Sequence, residues 1–373
     1  MCKEDEPARV AGAPADYLYL DETPDSAGTR LWTIGGSIAS CSAMFIAQHC
    51  RPLYTMGKNL ITKGQGEAAM VPRFPHMPKW QQLSPRVTVL NGLNPGLHTL
   101  QGTNTYLIGT GPSRILVDTG EGKEGYIDLL KEVMWEIGAS HLSAILLTHW
   151  HRDHIGGVEE VKEAYGQKIP VYKREVASCK GKCKFEYKDI EDGQVFKAEG
   201  ATLQALHTPG HTADHCAFIL EEEKALLSGD MILGSGTAVF EDLTDYSKSL
   251  KRTLGFCRDR DLRQIFPGHG KMVEDAAEKC LSYLKVRGMR ETQIIKALSH
   301  AETSDACSSI GVSSMLLTKW IYGGLPLPLI MSADVVLRQH LHKMEGEGRV
   351  AQGWIPNTWK LGDNAADSSD TPS

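Results

Sequence analysis

An excess of positive charge is missing from this 373-residue chain: 40 Lys and Arg stand against 46 Asp and Glu, a net charge of -6. Global basicity therefore does not recommend it as a nucleic-acid binder, and any phosphate contact has to come from a local patch. A disulfide framework is missing too. The nine Cys, at positions 2, 41, 50, 179, 183, 216, 257, 280 and 307, are odd in number and scattered, which suits a reducing compartment. Cys179 and Cys183 are the only close pair, and with no second pair to complete a four-ligand site they read as surface thiols. A convincing membrane span is also lacking, since residues 31–47 are uncharged but short and rich in Gly and Ser. The first 30 residues carry seven acids against Lys3, Arg9 and Arg30, the wrong sign for a mitochondrial transit peptide. Between Met44 and Gly66 the only charges are Arg51, Lys58 and Lys63, so a start at Met44 would give a matrix address.

What is present is an ordinary globular composition, 41% hydrophobic and 23% charged, on a chain long enough for two domains. Residues 1–80 read as an extension, disordered or wrongly included, and Pro72, Pro75 and Pro78 mark the linker into the folded part. Short apolar runs at 86–90, 104–108, 115–118, 144–147, 201–207, 217–220, 225–227 and 264–266 predict strands bounded by turns. The apolar spacing over 126–137, closed by Gly138, predicts an amphipathic helix, and 158–165 a second. Strands and helices repeated in two halves place sheets in the middle with helices outside, over 81–282. The pattern then changes. Helices at 283–300, 313–320 and 332–345, with a hairpin carrying Trp354 and Trp359, predict a small winged-helix-like domain over 283–361. The tail 362–373 is Asp, Ser, Ala and Pro, the composition of a disordered end.

The chemistry is concentrated in one stretch. His149, His151, Asp153 and His154 follow the apolar run 144–147 and precede Gly156 and Gly157, so they occupy a loop leaving a strand. Imidazole nitrogen and carboxylate oxygen are the donors that zinc prefers. His211, Asp230 and His269 lie just after the strands ending at 207, 227 and 266, each preceded by a Gly that lets the backbone turn tightly. Together these are five His and two Asp, enough for two metal ions sharing one carboxylate.

The intact His-x-His-x-Asp-His at 149–154, with the downstream His211, Asp230 and His269 motifs, resembles the metallo-β-lactamase superfamily over roughly residues 85–290. The resemblance implies an α/β fold, an αββα sandwich with its metals at one edge, followed here by the small C-terminal domain. It implies two zinc ions, the first on His149, His151 and His211, the second on Asp153, His154 and His269, with Asp230 bridging. Asp118 matches a position that hydrogen-bonds a ligand His, and Asn104 is expected with it in support of the ligands. A metal-activated water would be the nucleophile. Asp153 would hold a metal and accept a proton, while His215 would either protonate the leaving group or brace a ligand.

The segments around Asn94-Pro-Gly, Leu100–Leu107, the octet 208–215 and Val239–Leu243 are similar to a branch of single-strand-directed endoribonucleases of the animal mitochondrial matrix. That resemblance implies single-stranded RNA as substrate and partner. Fungal polyketide-pathway thioesterases, which hydrolyse an acyl-carrier-protein thioester, carry closely similar motifs and supply the alternative, with the cytosol as alternative address. Arg152 follows the second His where those thioesterases commonly have Gly, and Lys173, Arg174, Lys180, Lys182, Lys184 and Lys188 form a local basic stretch suited to a phosphodiester backbone. In the C-terminal domain Arg338, His340, His342, Lys343 and Arg349 are expected to contact phosphates without reading sequence. A non-catalytic RNA-binding protein is the reading from another class, and a complete ligand set argues against it.

Overall fold

The computed structural model describes residues 77–96, 98–302, 310–323 and 327–365. The expected extension lies outside the described residues as far as position 76, and so does the tail from 366; a matrix address carried there is outside them as well. The chain divides into two compact units, one of which is residues 68–284.

In that unit two sheets face each other. The first has six strands in sequence order: β1 (Trp80–Gln82), β2 (Val87–Asn91), β3 (Asn104–Ile108), β4 (Ser113–Val117), β5 (His141–Leu146) and β6 (Val171–Tyr172). The first four are joined antiparallel; β4, β5 and β6 are parallel, because helices α1 (Tyr126–Glu136) and α3 (Val158–Tyr165) form the crossovers between them. The second sheet has five strands: β7 (Val195–Ala198), β8 (Ala201–His207), β9 (Cys216–Leu220), β10 (Ala225–Gly229) and β11 (Gln264–Pro267). It is antiparallel except for β10 and β11, which α4 (Leu243–Asp259) connects in parallel.

Period-two alternation divides each strand between two environments. Val87, Val89, Tyr106, Ile108, Ile115 and Val117 meet Leu203, Ala205, Phe218, Leu220, Leu227 and Phe266 in the core between the sheets. The opposite face of the first sheet, with Leu107, Leu116 and Ile145, is covered by Leu130 and Val133 of α1 and Val158 and Val161 of α3. Burying each such side chain contributes about 1.5–3 kcal/mol. Both faces of β3 are therefore covered, and all five of its residues are buried. The αββα layering expected from the resemblance is the one observed.

The expected boundary at 282/283 falls inside a continuous helix, α5 (Ala276–Glu302), and the compact units divide after Leu284. The C-terminal part contains α6 (Ser314–Tyr322) and α7 (Leu327–Gly346) with a three-stranded sheet, β12 (Val312–Ser313), β14 (Thr358–Leu361) and β13 (Val350–Gln352). Ile294, Leu298, Leu317, Leu337, Leu341 and Trp359 are its core. Three helices and a hairpin were expected here and are present; Trp359 is buried while Trp354 is exposed at the hairpin turn. Among the described residues no helix is long and apolar enough to cross a membrane.

Sequence reasoning missed α4. Its polar surface hides the signal, but Leu243, Tyr246, Leu250, Leu254 and Cys257 recur at helical spacing and are buried. Asp242 caps it by accepting a hydrogen bond from the Asp245 amide at 2.8 Å.

Candidate metal centre

Strand ends supply every group. Asp118 follows β4 and His149 lies just beyond β5, while His151, Asp153 and His154 occupy the one-turn α2 (Arg152–Ile155) and its N-cap. His211 lies beyond β8, Asp230 directly follows β10 and His269 lies beyond β11. The glycines before the last two are sterically required. Gly229 has φ 50°, and a Cβ there would sit 2.7 Å from His215 Nε2. A Cβ on Gly268 would lie 2.3 Å from Asp230 Oδ1. Neither position admits a side chain without displacing the site.

The seven expected ligands meet as two groups, His149, His151, His211 and Asp230 in one, Asp153, His154 and His269 in the other, with ligand atoms within 4.8 Å of one another in each. In the first group His149 Nε2 and His211 Nε2 lie 2.9 Å and 3.1 Å from His151 Nδ1, and 3.2 Å from each other. Three ring nitrogens cannot satisfy one another with protons in that arrangement. Tetrahedral donors about 2.0–2.1 Å from a shared zinc ion would be about 3.3–3.4 Å apart, close to what is seen. Asp230 faces both groups: Oδ2 is 3.6 Å from His211 Nε2 and 3.3 Å from His269 Nε2, and Oδ1 is 3.4 Å from His154 Nε2. Asp230 Oδ1 and the Nε2 atoms of His151 and His154 are buried with no hydrogen-bond partner. Buried orphan donors and acceptors are costly, and two of these, His154 Nε2 and Asp230 Oδ1, face each other at 3.4 Å across a point that a cation would fill.

Four of the five imidazoles have their outward nitrogen engaged. His211 Nδ1 donates to the Val239 carbonyl at 2.7 Å and His269 Nδ1 to that of Gly102 at 3.3 Å. His154 Nδ1 donates to Asp118 Oδ2 at 2.7 Å. His149 Nδ1 donates to Thr148 Oγ1, which in turn donates to Asp118 Oδ2, both at 2.9 Å. These bonds fix the tautomers so that lone pairs point inward, as a metal requires. Asp118, expected to serve one ligand, thus serves two, and Thr148 is the relay that sequence reasoning did not identify. Asp118 has φ 60°, a conformation that Asp tolerates better than most residues.

Asn104 does not touch a ligand side chain. Its Nδ2 donates to the carbonyls of Pro267 and Gly270 at 2.9 Å and 2.8 Å, so it braces the backbone on either side of His269. His215 is corrected more strongly. It is fully buried, its Nδ1 donates to Thr208 Oγ1 at 2.8 Å, and its Nε2 accepts the amide hydrogen of Asp230 at 3.1 Å. No ring nitrogen is left to protonate a leaving group; of the two roles open to it, bracing Asp230 is the one the geometry provides. Burial, together with the neighbouring His211, holds its pKa well below the usual histidine range, so it stays neutral.

Electrostatics divide the cluster. Burial and neighbouring imidazoles push His149 and His151 well below their usual range. Burial also disfavours charge on His154 and His269, but Asp153, Asp230 and, for His154, Asp118 overcome it, raising His154 well above its ordinary value and His269 to about 10. Asp153 and Asp230 are correspondingly held well below the carboxylate range against the opposing effect of burial. Asp153 is half-buried where the six other ligands are buried, and Thr103 Oγ1 donates to its Oδ2 at 2.9 Å.

The two close cysteines are not surface thiols. Cys179 is buried and Cys183 half-buried. Lys173, taken with the basic stretch, is fully buried and paired with Asp214 at 2.5 Å, so it leaves the surface charge. Lys180, Lys182, Lys184 and Lys188 border the surface, as does the exposed Arg152, 3.6 Å from Glu121. In the C-terminal unit the expected phosphate contacts are largely consumed internally. Lys343 and Arg349 are buried on Glu291 at 2.9 Å and 2.5 Å, and His340 is buried 3.7 Å from it. Arg338 pairs with Asp334 at 2.7 Å, and His342 lies beside Glu345 at 3.5 Å.

With the site assembled, comparison with known proteins is informative. A model of the metallo-beta-lactamase superfamily matches residues 98–269, and one of the beta-lactamase associated winged helix domain matches 313–359. A beta-lactamase-like protein 2 homolog from Caenorhabditis elegans is 41% identical over 75% of this chain and 91% of its own length. An atrochrysone carboxyl ACP thioesterase from Aspergillus chevalieri is 38% identical over 78% of this chain and 92% of its own. The crystal structure of a beta-lactamase domain protein from Burkholderia ambifaria, 17% identical, superposes with a TM-score of 0.61 over 78% of this chain and 96% of that one.

Proposed function

This chain belongs to the metallo-beta-lactamase superfamily, and we propose that it is a dinuclear zinc hydrolase that cleaves single-stranded RNA endonucleolytically. The observation that carries the dinuclear reading is Asp230, whose carboxylate faces both donor groups at once: Oδ2 lies 3.6 Å from His211 of the first and 3.3 Å from His269 of the second. His149, His151 and His211 would hold one ion, Asp153, His154 and His269 the other. Five imidazoles in a set of seven donors suit zinc better than magnesium or calcium, which take oxygen. When bound, the metal pair supplies Lewis acidity that lowers the pKa of a water towards neutrality and stabilises charge developing on the attacked phosphoryl group.

The protein's own residues do the rest. Asp153 is an acceptor throughout the physiological range because its carboxyl is held ionised, and Thr103 fixes its orientation for taking a proton from water. Asp118, through His154 and Thr148, keeps the ligand lone pairs aimed inward. A phosphodiester substrate is favoured by cations next to the ligands, with Arg152 inside the ligand turn and Lys182 against Trp150.

A thioester of an acyl carrier protein is the second reading, favoured by the similarity to fungal thioesterases. Side-by-side assays on unstructured RNA and an acyl thioester, before and after chelation and with zinc restored, separate the two. RNA cleavage lost on chelation and regained with zinc is the expected outcome. Thioester hydrolysis without RNA cleavage would replace this reading with the second.

A further inference from the structure

Trp150 stands between the ligands His149 and His151, and its ring meets His151 edge-on with centroids 4.6 Å apart. Lys182 rests on this indole, its Nζ 3.5 Å from the ring centroid. The loop carrying Lys182 is anchored on both sides. Cys179 is buried before it, and Phe185 and Tyr187 after it pack against the cluster that contains Ile155 and Val161. Gly181, with φ 82°, turns the chain at the exposed tip between those anchors. Lys182 has no carboxylate partner among the described residues, although 46 acids are spread through the chain. An indole face holds an ammonium by its ring quadrupole and leaves the charge uncompensated, which a carboxylate would not do. The result is a localised, un-neutralised cation separated from a metal ligand by one aromatic ring.

We infer that Lys182 is a substrate-positioning residue whose ammonium, seated on Trp150, receives the phosphodiester adjoining the one that is cleaved. The inference rests on the phosphodiesterase reading above and deepens it. A lysine suits this task because it acts as a point charge on phosphate and reads no base. The phosphopantetheine arm of an acyl carrier protein also contains a phosphodiester, but at the far end of the arm from its thioester. In a nucleic-acid strand the next phosphate is one nucleotide from the scissile bond, which better suits a cation one indole away from His151.

The test compares the zinc-loaded full chain with Lys182→Ala and Lys182→Arg on a short unstructured oligoribonucleotide and on a dinucleoside monophosphate, which has no adjoining phosphate. Lys182→Ala is expected to raise KM for the oligonucleotide about 5–10-fold and to make its log–log salt dependence shallower by about 0.7, the loss of one single-strand phosphate contact. Lys182→Arg should restore most of the KM. Metal content and kcat/KM on the dinucleotide should not change. An unchanged KM and salt dependence in metal-replete Lys182→Ala, or equal loss on both substrates, would overturn the inference while leaving the phosphodiesterase reading in place. If the unsubstituted protein cleaves neither ribonucleotide, the phosphodiesterase reading fails and the inference, which rests on it, falls with it; that outcome is told from the first because there the unsubstituted chain still cleaves both substrates.

Discussion

Asp118 Oδ2 receives the Nδ1 hydrogen of His154 at 2.7 Å, and the same oxygen receives the hydroxyl of Thr148 that accepts from His149. One carboxylate thereby orients a ligand in each of the two metal groups, directly in one and through a relay in the other. Asp118→Asn preserves shape and tolerates the left-handed backbone but removes the negative charge that makes His154 more basic and that orients His149 through Thr148. It should weaken the group containing His154 first, by about 10–100-fold in metal affinity. Metal analysis after dialysis against graded chelator should show one ion lost before the other; two ions retained as in the unsubstituted chain would refute the role.

Asp230→Asn should behave differently, because Asp230 faces both groups. Both metals should be lost in a single step of the same titration. Sequential loss, as for Asp118→Asn, would remove Asp230 from the bridge.

His215 tests the correction made by the structure. If it only braces the Asp230 amide, His215→Ala should slow a substrate with a poor leaving group and one with an activated leaving group by the same factor. Selective slowing of the poor leaving group would restore the acid role and require the ring to rearrange.

Lys173 and Asp214 form an ion pair in which both side chains are fully buried, tying the end of β6 to the loop that carries His211. Removing one partner leaves the other buried and uncompensated, so Lys173→Met should cost about 3–5 kcal/mol in denaturant unfolding. Lys173→Met combined with Asp214→Asn should recover a large part. Equal destabilisation by the single and double variants would mean that the pair is not what matters there.

The C-terminal unit should be acid-sensitive. Burial depresses His340 from 6.5 to about 4 despite the nearby Glu291. Between these values the unfolded chain binds a proton that the folded chain does not, so stability is full above about pH 6.5 and declines as pH falls to about 4. The loss is at most about 3 kcal/mol. Glu291, held at about 2 by His340 and Lys343 against the effect of burial, adds a further loss between its ordinary 4.5 and about 2. Calorimetry of the full chain across this range should show the first decline, and His340→Gln should flatten it; an unchanged slope in that variant would exclude His340 as its source.

The sequence by itself determined the candidate ligands and the strands that carry them. Strand patterning with period two is local, the glycines before His211, Asp230 and His269 are local, and metal-binding residue types are recognisable one at a time. The strand at 201–207 and the helix at 158–165 were legible to the residue for this reason. Tertiary structure decided which atoms meet. Nothing local says that Asp118 reaches two ligands, that the second nitrogen of His215 accepts the Asp230 amide, or that Lys173, amid a basic stretch, is buried on Asp214. The same holds for Lys343 and Arg349, whose charges look available in the sequence but converge on the distant Glu291. Charge and hydrogen-bonding capacity are properties of a residue, while the partner that uses them up is a property of the fold.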